Sequence, residues 1–235
     1  VSDGLVSCVI PVHNGARYLR EALDSVEGQT YRAIEVIVVD DGSTDDSAAV
    51  AAGHPASARV HAQPNAGPAA ARNRGVRAAR GEYLAFLDAD DLWHPEKVAR
   101  QVARFRARPE LGFSVTHVQN FWSPELAPAA RALDGPRPAG PLPGYVAPAL
   151  LVRAATFAAV GEFNEARPHT SEPDWFLRAA QRGVVGELLP DALVRRRLHD
   201  ANRSRIRGAH STEEYLRLVK ATLDRKRREN PGPCS

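Results

Sequence analysis

The feature that most narrows the fold is a repeated change of hydrophobic period over the first 120 residues. Val6 to Val12 is a short β-branched run closed by Asn14-Gly15, and it reads as a buried strand. Arg17 to Val26 then places Leu19, Ala22, Leu23 and Val26 on one helical face. The exchange repeats. Ile34 to Val39 reads as a strand, and Ser43-Thr44-Asp45-Asp46 supplies N-cap chemistry for a helix through Val50 to Ala52. Val60 to Gln63 is a weaker strand, and Pro68 to Ala79 an alanine-rich helix with proline in its first turn. Tyr83 to Leu87 is a fourth strand, Pro95 to Arg108 a helix with Val98, Val102 and Phe105 on one face, and Leu111 to Val118 a fifth strand. A chain that alternates in this way through short connectors folds as α/β, with one mainly parallel sheet and helices on both faces. In such sheets ligands gather at the carboxyl ends of strands. Those ends carry His13 and Asn14, then Asp40 and Asp41, then Asp88, Asp90 and Asp91.

Beyond residue 120 the character changes. Ser123 to Gly144 is rich in proline, alanine and glycine and reads as a long irregular loop. Tyr145 to Arg153 is expected as a strand, Thr156 to Val160 as a short helix, Asp174 to Arg182 as a helix and Val184 to Leu189 as a strand. Glu213 to Arg228 patterns as an amphipathic helix with Leu216, Val219 and Leu223 on one face.

Composition excludes several classes. At 235 residues, 43% apolar and 25% charged, the chain is that of an ordinary globular domain. A net charge of +3 gives no reason to expect nucleic acid. Basic residues do crowd two stretches: Arg195, Arg196, Arg197, Arg203, Arg205 and Arg207, then Lys220, Arg225, Lys226, Arg227 and Arg228. Cys8 lies in an apolar run and Cys234 at the end, which is no disulfide framework, and no secretory pattern opens the chain. The expected setting is cytoplasmic. The longest apolar run, Val146 to Val152, is far below the ~20 residues of a membrane span, so membrane contact is expected to be at most peripheral, against the inner face.

Two acidic clusters suggest chemistry. In Asp88-Ala89-Asp90-Asp91, carboxylates two residues apart follow a buried apolar strand and repel one another unless a cation joins them. Mg²⁺ or Mn²⁺ suits oxygen ligands and bridges carboxylates to phosphates. The same residues could instead form a solvated turn that caps the next helix. In Asp40-Asp41-Gly42-Ser43, a carboxylate at a strand end can accept a nucleobase N–H or ribose hydroxyls, or serve as an N-cap beside a tight glycine turn.

Four segments then fall in order: Val9-Ile10-Pro11-Val12-His13-Asn14; Val38-Val39-Asp40-Asp41-Gly42-Ser43-Thr44-Asp45; Asn65-Ala66-Gly67-Pro68 with Ala71-Arg72-Asn73; and Phe86-Leu87-Asp88-Ala89-Asp90-Asp91. Together they resemble the family 2 inverting glycosyltransferases of the GT-A fold, a Rossmann-like sheet with a C-terminal acceptor-side region. Val160-Gly161-Glu162-Phe163-Asn164 resembles that family's Gly-x-Phe segment. The resemblance implies a metal-dependent inverting transfer of a hexosyl or N-acetylhexosaminyl group. The donor would be a nucleotide-diphosphate sugar, UDP-sugar favoured, and the acceptor hydroxyl would belong to a carbohydrate, lipid-linked, peptide or small molecule. Residues 1–120 would form the nucleotide-sugar-binding half, 121–207 the acceptor-binding and catalytic half, and 208–235 a C-terminal helix and tail.

By the same resemblance, Pro11, His13, Asn14, Asp40, Asp41, Arg72, Asp88, Ala89 and Asp90 would line the donor site. Asp40 and Asp41 would meet the uracil or ribose, Arg72 the base or diphosphate, and Asp88 the ribose. His13 stands where relatives often carry an aromatic residue. Asp90 would ligate Mn²⁺ or Mg²⁺, and His199 of Leu198-His199-Asp200-Ala201-Asn202, a His-x-x-Asn segment, would complete the shell. The base is expected from Ser171-Glu172-Pro173-Asp174-Trp175-Phe176-Leu177-Arg178, where Pro173 splits the family's acidic pair. Glu172 and Asp174 are both candidates, with Glu172 preferred, and Trp175 would line the acceptor side. A general base here removes the acceptor hydroxyl proton as that oxygen attacks the anomeric carbon. The alternatives are a non-catalytic nucleotide-sugar-binding module and a sugar-nucleotide pyrophosphorylase. The single glycine after the first strand counts against the pyrophosphorylase.

Overall fold

The structure, a computed structural model, describes residues 2–56, 59–126, 140–167, 169–202, 214 and 220. The expected alternation is present as β1 (Ser2–Val12), α1 (Ala16–Glu27), β2 (Ile34–Asp41), α2 (Ser47–Ala52), β3 (Arg59–Gln63), α3 (Pro68–Ala78) and β4 (Gly81–Phe86). Then come β5 (Leu92–Trp93), α4 (Lys97–Ala107), β6 (Phe113–Trp122), β7 (Leu142–Pro143), β8 (Leu151–Arg153), α5 (Ala154–Val160), α6 (Ser171–Gln181) and β9 (Gly186–Leu198). The strands form one sheet in the order β3-β2-β1-β4-β8-β6-β9-β5, with β7 alongside β6. β1 runs parallel to β2 and β4, β2 to β3, and β6 to β9. The antiparallel pairs, β4 with β8 and β6 with β8, lie where the second half of the chain joins the first. Both halves therefore share one sheet.

Alternation of side chains along β1 and β2 divides the core between two faces. Cys8, Ile10, Val12, Val36 and Val38 pack under Leu19, Leu23 and Val26 of α1, Ala51 of α2, and Val98, Val102 and Phe105 of α4. The opposite face buries Val9, Leu84, Phe86 and Val152 under Ala69 of α3, Phe157 and Val160 of α5, and Trp175 and Ala179 of α6. Ile37 and Val39 meet Ala71 of α3 on that side. Helices therefore cover both faces, as the alternation requires. α3 lies unusually close to β1, since a Cβ on Gly75 would stand 2.3 Å from Val9 Cγ1.

Differences from the sequence expectation have local causes. The strand expected over Tyr145 to Arg153 is instead a 3₁₀ turn, Ala147–Ala149, followed by the three-residue β8. Pro148 has no N–H to give to a ladder, so the extended run breaks there. The strand expected to end at Leu189 runs on to Leu198, paired along its length with β6. α6 begins at Ser171, ahead of the expected Asp174. Pro173 is tolerated because the first-turn N–H groups have no intrahelical partner. Within the expected Ser123–Gly144 loop, residues 127–139 lie outside the described residues. So do Arg203, Arg205, Arg207, Cys234 and all but Glu214 and Lys220 of the helix expected at Glu213–Arg228. Among the described residues no helix is long and apolar enough to cross a membrane.

Candidate active site

The parallel set β3-β2-β1-β4 delivers its carboxyl ends to one edge, and the acidic residues stand there. Their roles differ because successive residues of a strand face opposite sides. Asp40 is 7% exposed and accepts the Ser43 N–H at 3.0 Å, closing the turn before α2. Asp41 faces α3. Its Oδ1 accepts Gln63 Nε2 and the Ala66 N–H, both at 2.8 Å, and its Oδ2 accepts the Gly67 N–H at 2.8 Å. Three donors on one carboxylate fix the loop that starts α3. Gly42 makes this approach possible: φ there is +72°, and a Cβ would lie 2.8 Å from the Asn65 N.

His13 and Asn14 follow β1 and are exposed. The Asp41 carbonyl lies 2.9 Å from His13 Nδ1 and can only accept, so Nδ1 carries the proton. Nε2 then accepts from Asn65 Nδ2 at 3.1 Å. Asn14 Oδ1 accepts the Thr44 N–H at 2.7 Å, and its own N–H donates to Ser43 Oγ at 2.9 Å. Pro11 is buried in β1 opposite Val39 of β2, behind these residues.

Arg72, 4% exposed on α3, joins the two halves of the site. Its Nη2 donates to Asp88 Oδ1 at 2.5 Å and its Nη1 pairs with Glu172 Oε1 at 2.8 Å. Burial opposes the guanidinium charge, but the Asp88 and Glu172 carboxylates outweigh it and its pKa is raised. Asn73, next along α3, is no surface residue. Its Nδ2 donates to the Phe163 carbonyl at 2.9 Å and its Oδ1 accepts the Phe163 N–H at 3.0 Å, tying the Gly-x-Phe segment to α3.

Ala89 separates three carboxylates, Asp88, Asp90 and Asp91, each with an oxygen within 4.8 Å of the others. Burial raises the Asp88 pKa against the pull of Arg72, with Glu172 and Asp90 adding to the rise. Asp91 is 3% exposed and its pKa is pushed well up by burial and then by Asp90 and Asp88. Asp90 Oδ2 lies 2.9 Å from His199 Nε2 and 3.2 Å from Asn202 Nδ2. The fold thus brings Asp90 and His199 together across 109 residues of chain. Clustered carboxylate oxygens beside an imidazole are a donor set that fits Mn²⁺ or Mg²⁺. Asp24, Glu27 and His54 also cluster, but His54 Nδ1 accepts the Ala56 N–H at 3.1 Å, so its Nε2 carries the proton toward Asp24.

Further groups support the cluster, and Arg197 among them has no period or motif that marks it. Arg197 is 4% exposed: its backbone N–H donates to Asp91 Oδ1 at 2.9 Å and its Nε to the Asp90 carbonyl at 3.0 Å. The Tyr18 ring packs 4.8 Å from the His199 ring and 4.5 Å from the Arg197 guanidinium. Asn202 Oδ1 accepts the His199 N–H at 2.6 Å, which gives the His-x-x-Asn spacing a physical purpose.

The acidic pair of α6 separates sharply. Residues two apart on a helix point about 200° from each other. Glu172 turns inward, with Oε1 on Arg72 and Oε2 accepting the Ala147 N–H at 3.0 Å. Asp174 turns away to accept Arg178 Nε at 2.8 Å, and Arg178 in turn holds the carbonyls of Val160 and Glu162, each at 2.7 Å. Trp175 does not line the acceptor side. It is 0% exposed, stacked 5.5 Å from Phe157, and its helical position faces the core with Ala179. The aromatic group that is exposed near Glu172 is Tyr145, edge-on to Phe176 at 5.4 Å, one helical turn along α6.

Comparison with known proteins bears on the family and the fold. The family model for glycosyl transferase family 2 matches residues 7–148. An uncharacterized glycosyltransferase of Rickettsia typhi is 32% identical over 228 residues, covering 91% of this chain and 70% of that protein. One from Rickettsia felis is 32% identical over 235 residues, but this chain spans only 36% of its length. Among solved structures, S. aureus TarS 1-349 in complex with UDP gives a TM-score of 0.72 at 19% identity, covering 93% of this chain and 65% of that one. The mannosyltransferase PcManGT from Pyrobaculum calidifontis, in complex with GDP-Man and Mn²⁺, gives 0.69 at 22% identity over 92% of this chain and 64% of its own. At such identities the structures speak for the fold, GT-A, while the sequence relatives and the family model speak for descent. The chain belongs to glycosyl transferase family 2.

Proposed function

We propose that this chain transfers a glycosyl group, with inversion, from a nucleotide-diphosphate sugar to an acceptor hydroxyl, with Glu172 as the base. The observation that carries the reading is Arg72, which holds Asp88 of the donor edge and Glu172 of α6 on one guanidinium. Donor-binding carboxylates and a candidate base thereby share one site. The pin between Asp174 and Arg178 favours Glu172 over Asp174. A UDP-sugar, of the hexosyl or N-acetylhexosaminyl class, is favoured by the TarS complexes with UDP and UDP-GlcNAc.

Asp90 and His199, with Asp88 and Asp91 beside them, would hold a divalent cation, and the Mn²⁺ in the PcManGT complex supports that reading. A cation held there offsets negative charge on the leaving diphosphate. The chain's own groups do the rest. Asp40, Asp41 and His13 frame the nucleoside edge, Arg72 fixes the Glu172 carboxylate, and Glu172 takes the acceptor proton. Glu172→Gln should abolish release of UDP from the donor while the Kd for UDP stays within about twofold. Unaltered turnover in that variant would place the base elsewhere.

A further inference from the structure

The proposed base is held at two points, and only one of them belongs to a charged group. Glu172 Oε1 meets Arg72, whereas Oε2 accepts the backbone N–H of Ala147 at 3.0 Å. Ala147 opens the buried 3₁₀ turn Ala147–Ala149, and the turn's own closure is slight: Ala149 N–H to the Val146 carbonyl at 3.2 Å and Leu150 N–H to the Ala147 carbonyl at 3.0 Å. Side chains from two other elements brace it. The Trp93 indole N–H donates to the Pro148 carbonyl at 2.9 Å. Gln101 Nε2 donates to the Ala149 carbonyl and to the Ser114 carbonyl, each at 3.0 Å. The Gln101 amide has a defined orientation because its Oε1 accepts Lys97 Nζ–H at 2.9 Å, and Lys97 Nζ also lies over the Trp93 ring at 4.2 Å.

Trp93 is 4% exposed, while Lys97, Gln101, Ala147 and Ala149 are each 0% exposed. Water cannot substitute for any of these donors, so loss of one leaves a buried carbonyl unpaired. Trp93 also stands two residues beyond Asp91, on β5, so the segment that carries the acidic cluster carries one end of the brace.

We infer that Trp93 and Gln101 are positioning residues for Glu172: they fix the Ala147–Ala149 turn so that the Ala147 N–H holds the carboxylate at the angle of proton transfer. The inference rests on the reading of Glu172 as base. A base displaced by about 1 Å can lose 10²-fold in rate without any change in what it binds.

The test uses the intact chain with UDP-N-acetylglucosamine and Mn²⁺ as donor probe, following UDP release. Three variants are needed. Trp93→Phe deletes the N–H and keeps a ring over Lys97. Gln101→Met deletes both donations at similar volume. Ala147→Pro deletes the N–H that Glu172 uses, and the extended Val146 before it, φ −137° and ψ 157°, accepts a following proline. Each should lower kcat by roughly tenfold to a hundredfold. The Kd for UDP should stay within twofold, and amide hydrogen exchange at Ala147 and Ala149 should speed up in the first two. Wild-type kcat in Trp93→Phe and Gln101→Met, with Glu172→Gln inactive, would overturn the brace while leaving the base intact. Faster exchange at Ala147 with an active Glu172→Gln would instead sink the reading of Glu172 as base. A variant that loses UDP affinity and kcat in equal measure would show a general structural role and also overturn the inference.

Discussion

Lys97 offers the sharpest energetic test of the core beneath the site. Its ammonium is fully buried against Cys8 and the Trp93 ring, and burial lowers its pKa from 10.5 to about 7, slightly opposed by Cys8. Below pH 10.5 the unfolded chain takes up a proton that the folded chain refuses until pH falls to about 7. The folded pKa is depressed, so stability is present above the unfolded pKa and is lost as pH falls toward the folded one. Each pH unit in that window costs about 1.4 kcal/mol, which gives a penalty of about 4 kcal/mol at pH 7 and about 2 kcal/mol at pH 9. Lys97→Met removes the penalty but strands Gln101 Oε1, a buried acceptor worth about 1–3 kcal/mol. The variant should therefore be more stable than wild type at pH 7, by about 1–3 kcal/mol, and that advantage should shrink by about 2 kcal/mol at pH 9. Urea unfolding followed by far-ultraviolet circular dichroism at both pH values reads the difference directly, because every other titrating group is common to the two proteins. The comparison stops at pH 9, since burial lifts the Cys8 thiol from 9.0 to about 12 and stability then declines as the unfolded thiol ionises. Parallel pH profiles, with a constant gap between variant and wild type, would refute the assignment of a neutral, proton-refusing amine at this position.

Two further outcomes follow from the site itself. Arg72→Met leaves Asp88 and Glu172 facing each other without their shared cation; as these carboxylates are 35% and 20% exposed, solvent screens part of the usual cost, and a loss of about 2 kcal/mol in urea unfolding is expected together with loss of turnover. An unchanged urea midpoint would show that Arg72 is not the bridge its distances indicate. Mn²⁺ at roughly a hundred times its Kd should add about 2.7 kcal/mol, or roughly 5–10 °C in Tm, and Asp90→Asn should remove most of that gain. A Tm that Mn²⁺ shifts equally in both proteins would take Asp90 out of the metal's shell.

The acidic edge was legible in the sequence because strand period and strand ends are local properties. Asp40, Asp41 and Asp88 had to lie at one edge once β1, β2 and β4 were read as parallel neighbours. What each carboxylate does was not legible, since it depends on which face of the strand it occupies and on what loop folds over it; the three donors that Asp41 accepts come from residues 63 to 67. The choice between Glu172 and Asp174 turned on where α6 begins. A helix from Asp174 would leave Glu172 in the preceding loop, whereas a helix from Ser171 sets the two on opposite sides. Helical phase, followed strictly, would have recovered more. Lys97 and Gln101 share the stripe of Val98, Val102 and Phe105, and Trp175 shares one with Ala179, yet a lysine argues for solvent and a tryptophan beside a carboxylate argues for a sugar. Arg197 carries no such signal, because its partner Asp91 lies 106 residues away, and the phase of Tyr18 with Ala22 and Val26 shows its burial but not its packing on His199.

Charge explains why these parts need one another. Four carboxylates, Asp88, Asp90, Asp91 and Glu172, converge on the site; among the described residues the Arg72 guanidinium pairs with two of them, Arg196 adds positive charge near Asp91, and Arg197 stands beside the cluster. Arg72 serves Asp88 and Glu172, while Arg197 meets Asp91 through its backbone and Asp90 only through a carbonyl, so its charge is spent on Glu21 at 2.7 Å. Negative charge therefore remains at Asp90, which His199 and Asn202 approach through imidazole and amide nitrogens. Burial and then its like-charged neighbours raise the Asp91 pKa, a cost that a bound cation offsets and that functional sites commonly carry. A divalent cation held there would offset two of these charges at once and, in the proposed reaction, the charge on the leaving diphosphate. On the proposed reading, the electrostatics that make the acidic loop unfavourable in isolation would favour a divalent cation there, and with it a nucleotide diphosphate.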